Sequence, residues 1–364
     1  MKNPIMTGLG LVALFPIALP AMAQSNVTVY GVLDLGVEAG RTGGTGFTRV
    51  DTSAVAPVRL GFQGTEDLGG GTQAIFRLES GFNADTGTLA NNGALFGREA
   101  WAGLKGDFGQ VQVGVNYTPL FLSYVTYAMG QLNTLGWGNA TNNFVFVPAA
   151  RASNSIRYTS PSFAGFTLRA FHGRGNEDAA GQPRGLGKTS GAGLAYKHAR
   201  LSVDLDYMQQ DYSRTPTPSA STPAQTGRYY LVGASYDFGL VKPAFLYQAH
   251  RGSAGVTAAN NASFANPDNH FFELDALIRV TTHGTVLVSY GEYKLRENSA
   301  GNAKSYALRH DYALSKRTGL YAGVTRVANG SAASFSAAPA QGPGMSVAPG
   351  NGINSAIVGM IHRF

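Results

Sequence analysis

The chain has 364 residues, no cysteine, and 28 basic against 21 acidic side chains, for a net charge of +7. This composition rules out disulfide scaffolds and thiolate metal sites. The basic residues are scattered singly with no Lys/Arg run, which speaks against nucleic acid and leaves an acidic surface or an anionic solute as the target of the excess charge.

In chain order, the first element is an export segment. Lys2, an apolar run from Met6 to Leu19, and the small residues Ala21-Met22-Ala23 predict a secretory signal over 1–23, with cleavage before Gln24 and a mature charge of +6. The run is too short to span a bilayer and is interrupted by Pro16 and Pro20. No later segment reaches the ~18 unbroken apolar residues of a transmembrane helix, so a membrane route must use strands.

From residue 24 onward the repeating unit is a hairpin: about ten alternating residues, a tight turn, about ten more, then a longer polar loop. The tight turns are 68–71, 106–109, 160–163, 198–200, 237–239, 281–284 and 314–317. Seven turns imply fourteen flanking strands, and a first and a last strand make sixteen. The opposite ends carry segments rich in Gly, Ser, Thr, Asn and Pro at 40–56, 84–97, 117–153, 173–187, 212–227, 252–268, 296–302 and 329–352. Ten prolines of the mature chain fall in these long segments, Pro161 falls in a turn, and Pro57 and Pro243 sit at strand starts, so none interrupts a predicted ladder.

Several faces are legible from period-two alternation. In 73–82, Ala74, Phe76, Leu78 and Phe82 share a face, with Arg77 and Glu79 on the other. In 111–117, Val111, Val113, Val115 and Tyr117 oppose Gln112, Gly114 and Asn116. Tyr230, Val232, Ala234, Tyr236 and Phe238 form one stripe, and Val286, Val288 and Tyr290 another. The last residues alternate Ala356, Val358, Met360, His362 and Phe364 against Ile357, Gly359, Ile361 and Arg363, as expected of a strand that pairs with the first to remove both edges. Polar or glycine residues on the second face favour a wet lumen over a sandwich core. The expected fold is an all-β, 16-stranded antiparallel transmembrane barrel over 24–364.

The longest connection, 117–153, is apolar and aromatic (Leu120, Phe121, Tyr124, Tyr127, Trp137, Phe144), and it has no charged residue between 117 and 150. A loop in water would not be this greasy, so it is expected to fold against the inner wall. Arg59, Arg98 and Arg157 are expected on different strands, on the face opposite lipid-facing residues (Leu60; Ile156 and Tyr158), and an arginine turned to lipid at mid-depth costs about 2–4 kcal/mol, which directs them inward. Arg77 and Arg169 share that direction, either extending a basic lining or forming ordinary wall ion pairs, Arg77 with Glu79 for instance. The seven histidines show no metal spacing, and no Gly-x-Ser-x-Gly elbow or phosphate loop occurs.

The sequence resembles the trimeric general porins of the β-proteobacterial outer membrane. The resemblance rests on Val29-Tyr30-Gly31-Val32-Leu33-Asp34, on Arg59-Leu60-Gly61-Phe62-Gln63-Gly64-Thr65-Glu66-Asp67-Leu68-Gly69-Gly70-Gly71, and on Tyr117-Thr118-Pro119. Asn154-Ser155-Ile156-Arg157-Tyr158, Leu314-Ser315-Lys316-Arg317-Thr318 and His362-Arg363-Phe364 add to it. It implies a non-enzymatic, water-filled channel in the outer membrane, a homotrimer among lipid and lipopolysaccharide, with no cofactor. It also implies that Arg59, Arg98 and Arg157 line one wall of a constriction with Glu79 nearby, and that small anionic or neutral solutes pass. Relatives usually carry carboxylates on the third loop and an arginine just before it; here the loop is uncharged and Gly114-Val115-Asn116 precede it. A substrate-selective anion channel, for phosphate or organic acids, is the alternative; a barrel adhesin or a barrel-embedded hydrolase is a more distant one.

Overall fold

The computed structural model describes residues 26–130, 132, 150–175, 187–212, 225–252, 268–296, 298–337 and 345–364. The predicted signal segment lies outside the described residues. The strands are β1 (Asn26–Thr42), β2 (Thr45–Thr52), β3 (Arg59–Gly69), β4 (Thr72–Gly81), β5 (Glu99–Gly106) and β6 (Gly109–Tyr117). After them come β7 (Arg151–Thr159), β8 (Phe166–Gly173), β9 (Thr189–His198), β10 (Leu201–Tyr212), β11 (Gln225–Tyr236) and β12 (Val241–Arg251). The series ends with β13 (Asn269–Arg279), β14 (Gly284–Leu295), β15 (Ala303–Ala313), β16 (Thr318–Asn329) and β17 (Ile353–Arg363).

Seventeen segments make sixteen wall strands, because β2 and β3 are two halves of one. The upper half of β1 pairs with β2, from Leu35↔Thr52 to Thr42↔Thr45, and its lower half pairs with β3, from Asn26↔Thr65 to Val32↔Arg59. Each later strand pairs antiparallel with its predecessor, and β17 closes on β1 from Val32↔Arg363 to Thr42↔Ile353. Gly31 and Phe364 exchange backbone hydrogen bonds of 3.1 and 3.2 Å at this seam. Closure leaves no unpaired edge in the hydrocarbon layer, where each orphaned amide would cost several kcal/mol. All seven tight turns stand where the sequence places them. The first long segment differs: 40–42 and 45–52 continue as strand on either side of a tight turn at Gly43-Gly44, and 53–58 leaves the ladder.

The outward faces are apolar, with Val27, Val113, Ile156, Leu205, Leu274, Val288, Leu308, Val324 and Val358 all exposed. The predicted stripes hold their faces except at Phe82, which lies past the end of β4 and bridges to Leu89, and at Tyr117, whose ring is buried against Phe121 of the lumenal loop just past the register shift between β6 and β7. The inward faces bury polar groups, among them Asp34, Glu79, Gln112, Asp204, Glu273 and Arg309. Among the described residues no helix is long and apolar enough to cross a membrane.

Three segments fold into the lumen. The third loop opens with helix α1 (Pro119–Tyr127), whose Leu120, Tyr124 and Tyr127 bury against Leu231, Leu246 and Phe271 of the wall. Segment 53–58 buries Ala54, Val55 and Val58 beside Tyr321, Ile357 and Ile361. Asp34 pins it, accepting the amides of Val55 and Ala56 at 2.7 Å each and the Tyr321 hydroxyl at 2.7 Å. Residues 333–337 of the last long loop bury Ala333, Phe335 and Ala337, with Phe335 edge-on to Tyr293 at 5.0 Å.

Candidate functional site

The predicted basic residues gather on the inner wall from β3 to β7. β3 begins where the pinned 53–58 segment re-enters the ladder, which sets Arg59 at the level of Gly81 on β4. Two residues below Gly81, Glu79 is the hub. Its Oε1 accepts from Arg98 Nε at 2.6 Å, and its Oε2 accepts from the Tyr30 hydroxyl at 2.8 Å and lies 3.5 Å from Arg59 Nε. Arg98 does not lie on a strand as expected but just before β5, and is fixed by its own backbone as well, donating from N to the Glu79 carbonyl at 3.1 Å. Two guanidiniums therefore share one buried carboxylate, and one positive charge remains in excess.

Arg77 is neutralised. Its Nη1 donates to Glu99 Oε2 at 3.0 Å and its Nη2 to Gln63 at 2.9 Å, with its guanidinium 5.9 Å from the Tyr30 ring and 5.8 Å from Trp101. Glu99 is the partner, not the Glu79 that sequence offers. Trp101 Nε1 donates to the other Glu99 oxygen at 2.9 Å, completing that pair. Arg169 is also an ion pair, 3.1 Å from Asp204 on β10.

Arg157 differs from all of these. Its Nε donates to Gln112 at 2.7 Å and its Nη1 to the Tyr117 carbonyl at 3.1 Å, both neutral acceptors. Among the described residues no carboxylate lies within ion-pair distance of it. Arg151, which sequence reading leaves in the third loop, opens β7 and stands opposite Tyr117 in register. Its guanidinium lies 5.0 Å from the Tyr117 ring, and Arg98 approaches the same ring at 6.0 Å. Phe121 stacks on that ring at 4.9 Å, which joins the basic wall to the base of the third loop.

The third loop then crosses the lumen. Thr118 caps α1 by accepting the Phe121 amide at 3.3 Å, and Pro119 occupies the first turn, where its missing N–H costs nothing. Asp204 receives the Ser123 hydroxyl at 2.7 Å and the Tyr127 hydroxyl at 3.1 Å. Beyond the helix, Asp275 accepts the Met129 amide at 2.6 Å, Glu273 accepts the Gly130 amide at 3.2 Å, and the Leu132 carbonyl accepts from Thr325 on β16. A Cβ on Gly233 would come within 2.1 Å of the Tyr127 ring, and one on Gly130 within 2.1 Å of Ser289 Oγ, so glycine is what lets the loop lie this close. Burial raises the Tyr124 phenol well above its usual pKa, with the Glu273 and Asp275 carboxylates adding to the effect. Carboxylates thus sit beneath the loop as anchors rather than on it facing the arginines. Residues 131 and 133–149, with Trp137, Phe144, Val145 and Phe146, lie outside the described residues.

A family model for Gram-negative porins matches residues 9–332 of the chain. The chain belongs to that family. This porin is 30% identical over 321 residues to outer membrane porin protein 32 of Delftia acidovorans, covering 85% of this chain and 86% of that protein. It is 31% identical over 256 residues to an outer membrane porin protein of Bordetella pertussis, covering 62% and 64% of the two. Among solved structures it is similar to the anion-selective porin from Comamonas acidovorans, with a TM-score of 0.78, 27% identity, and coverage of 94% of this chain and all of that one. The porin is an outer-membrane protein and a passive channel.

Two features of the site escape sequence reading of this porin. Arg151 becomes visible only through its register with Tyr117, because a loop-end arginine carries no local mark. The inward course of 333–337 has one trace, Asn329, whose amide donates to the carbonyls of Phe335 and Asn351 at 2.8 Å each and whose Oδ1 accepts the Phe335 amide at 3.0 Å. An asparagine at a strand end is too common for that trace to be read alone.

Proposed function

We propose that the porin passes small hydrophilic solutes with a preference for anions, and that Arg59, Arg98, Arg157 and Arg151 form the selective wall opposite the third loop. Arg77 and Glu99 then act as a neutral pair below it. One observation carries the reading: the wall holds more guanidiniums than carboxylates, with Arg157 on neutral acceptors alone, and the loop beside it is uncharged. The similar protein from Comamonas acidovorans is an anion-selective porin, which supports the same reading.

At ~6 Å and water-like dielectric, each uncompensated arginine attracts a monovalent anion by about 0.7 kcal/mol. Salt weakens this as the Debye length falls from ~8 Å at 0.15 M to ~3 Å at 1 M. Zero-current potentials across planar bilayers in dilute salt gradients are therefore expected on the anion side, collapsing toward zero in concentrated salt. Equal permeability to potassium and chloride in dilute salt would refute the reading.

A second reading, a saturable anion site, has its own observation. The buried Tyr117 hydroxyl and Arg151 Nε have no hydrogen-bond partner among the described residues and sit among these guanidiniums. Conductance that saturates with phosphate or a dicarboxylate, but not with chloride, distinguishes it from simple preference.

The same proposal takes 1–23 as the export signal, 24–364 as the barrel, and a homotrimer as the assembly. Supporting a trimer, the outward faces of β2 to β7 present Thr48, Val50, Leu60, Phe76, Leu78, Val113 and Ile156, and Glu66 beside a turn is their sole charge. The second long loop would reach a neighbour, so deleting 86–93 is expected to weaken a trimer that otherwise survives detergent; a monomeric mass for intact protein would refute the assembly.

A further inference from the structure

Glu79 has one partner that carries no charge. Tyr30 lies on the lumenal face of β1, in phase with buried Val32, Asp34 and Glu38. Its hydroxyl donates to Glu79 Oε2 at 2.8 Å, the same oxygen that lies 3.5 Å from Arg59 Nε. Arg98 Nε holds the other oxygen at 2.6 Å. The buried carboxylate is thus satisfied by one guanidinium and one phenol, and Arg59 stays beyond direct hydrogen-bond distance. Arg59 is also held from its own segment: Nη1 donates to the Pro57 carbonyl at 3.1 Å, just after the residues that Asp34 pins. The phenol reaches Glu79 because of what lies between them. Tyr30 stands opposite Gly61 on β3, and Gly61 stands opposite Glu79 on β4. A Cβ on Gly61 would overlap the Tyr30 ring and its hydroxyl, so glycine opens the path across β3.

We infer that Tyr30 is a positioning residue that sets ion preference, its hydroxyl occupying Glu79 so that the charge of Arg59 stays open to a permeating anion, a role that rests on the anion-preferring reading above. A phenol that donates to a carboxylate makes a charge-assisted hydrogen bond, yet it adds no positive charge. Without it, Arg59 Nε is the donor that already faces Oε2. Closing that gap makes an ion pair, and the opposed charges of a tight pair cancel over most of their range. The net charge of the wall is then unchanged, but one guanidinium fewer is free to meet a solute. A tyrosine that only satisfied a buried carboxylate would affect stability and leave ion preference as it is. The ring is a separate matter: it lies 5.9 Å from the Arg77 guanidinium, a contact that phenylalanine would keep.

The test is the zero-current potential of the full protein in planar bilayers under a dilute potassium chloride gradient. Tyr30→Phe removes the hydroxyl alone. It is expected to move the potential toward the non-selective value by roughly a third or more of the shift that Arg59→Ser produces, because pairing offsets part of a charge that serine removes whole. Gly61→Ala displaces the phenol while keeping every charge and hydroxyl, and should move the potential the same way. Combining the two should add nothing to the larger effect. With Arg59→Ser already present, Tyr30→Phe should have no effect; with Arg157→Ser present it should act as it does in wild type. Heat-resistant migration in gels shows which variants fold, and Tyr30→Phe decides the matter if Gly61→Ala does not. An unchanged potential in folded Tyr30→Phe, a shift toward the anion side, or an effect that persists without Arg59 would overturn the inference. If wild type shows no ion preference, the pore reading fails and the positioning role is read from heat-unfolding midpoints instead. The coupling between Arg59→Ser and Glu79→Gln should then be larger after Tyr30→Phe, and an unchanged coupling would overturn the role as well.

Discussion

At the scale of single residues, the sharing of Glu79 ranks the arginines. Arg98 is almost wholly buried on Glu79 and Arg59 adds a longer contact, whereas Arg157 has no carboxylate among the described residues. Replacing Arg157 by Ser is therefore expected to move the zero-current potential toward the non-selective value more than Arg59→Ser does. Equal shifts would mean that compensation by Glu79 is not felt in the pore. Glu79→Gln should push the potential further to the anion side while lowering thermal stability, because removing one partner of a buried pair strands the other at a cost of about 3–5 kcal/mol. A second residue-scale prediction concerns the periplasmic side. In the β11–β12 turn, hydrogen bonds from the Arg279 guanidinium at 2.8 and 2.9 Å, and from the Gly239 amide, hold the Asp237 carboxyl at about 2 against the usual 3.8. A depressed folded pKa means that the stabilisation is complete above about pH 4 and is lost as pH falls through about 2. Any excess of wild-type melting temperature over Asp237→Asn at pH 6 should shrink to a small remainder by pH 2 and vanish below it; a gap unchanged at pH 2 would show that the ionised carboxylate is not its source.

At the scale of elements, the third loop is held by close approach. Adding a methyl at Gly233 drives into the Tyr127 ring and should break the hold of Tyr127 on Asp204. Gly233→Ala is expected to cost about 1–3 kcal/mol of stability, as overpacking does, and to raise or destabilise single-channel conductance. Thr126→Ala, on the exposed side of the same helix, should alter neither. If both variants conduct like wild type, the packing of α1 on β11 does not set the width of the channel. Loop direction was partly legible: the apolar run after Tyr117 called for a wall to pack on. What lies under it was not, because Asp204, Glu273 and Asp275 belong to strands more than 75 positions away and look like ordinary lumen carboxylates in the sequence.

At the scale of the whole molecule, a closed ladder has no place to begin fraying. Unheated protein is accordingly expected to migrate apart from boiled protein in detergent gels, and circular dichroism to show strand with little helix, since α1 spans only nine residues. A large helical signal would contradict the closed barrel. The sequence by itself determined the seven turns, the count of wall strands, the sense in which most faces point and the closure of β17 on β1. Those features follow from period-two alternation and turn chemistry, which act between neighbours along the chain. Only the tertiary structure decided that 53–58 leaves the ladder over Asp34, that Arg77 pairs with Glu99, that Arg151 joins the basic wall and that 333–337 turns inward. Each of these depends on which residues the register sets side by side across strands, and a strand's own sequence does not encode that depth.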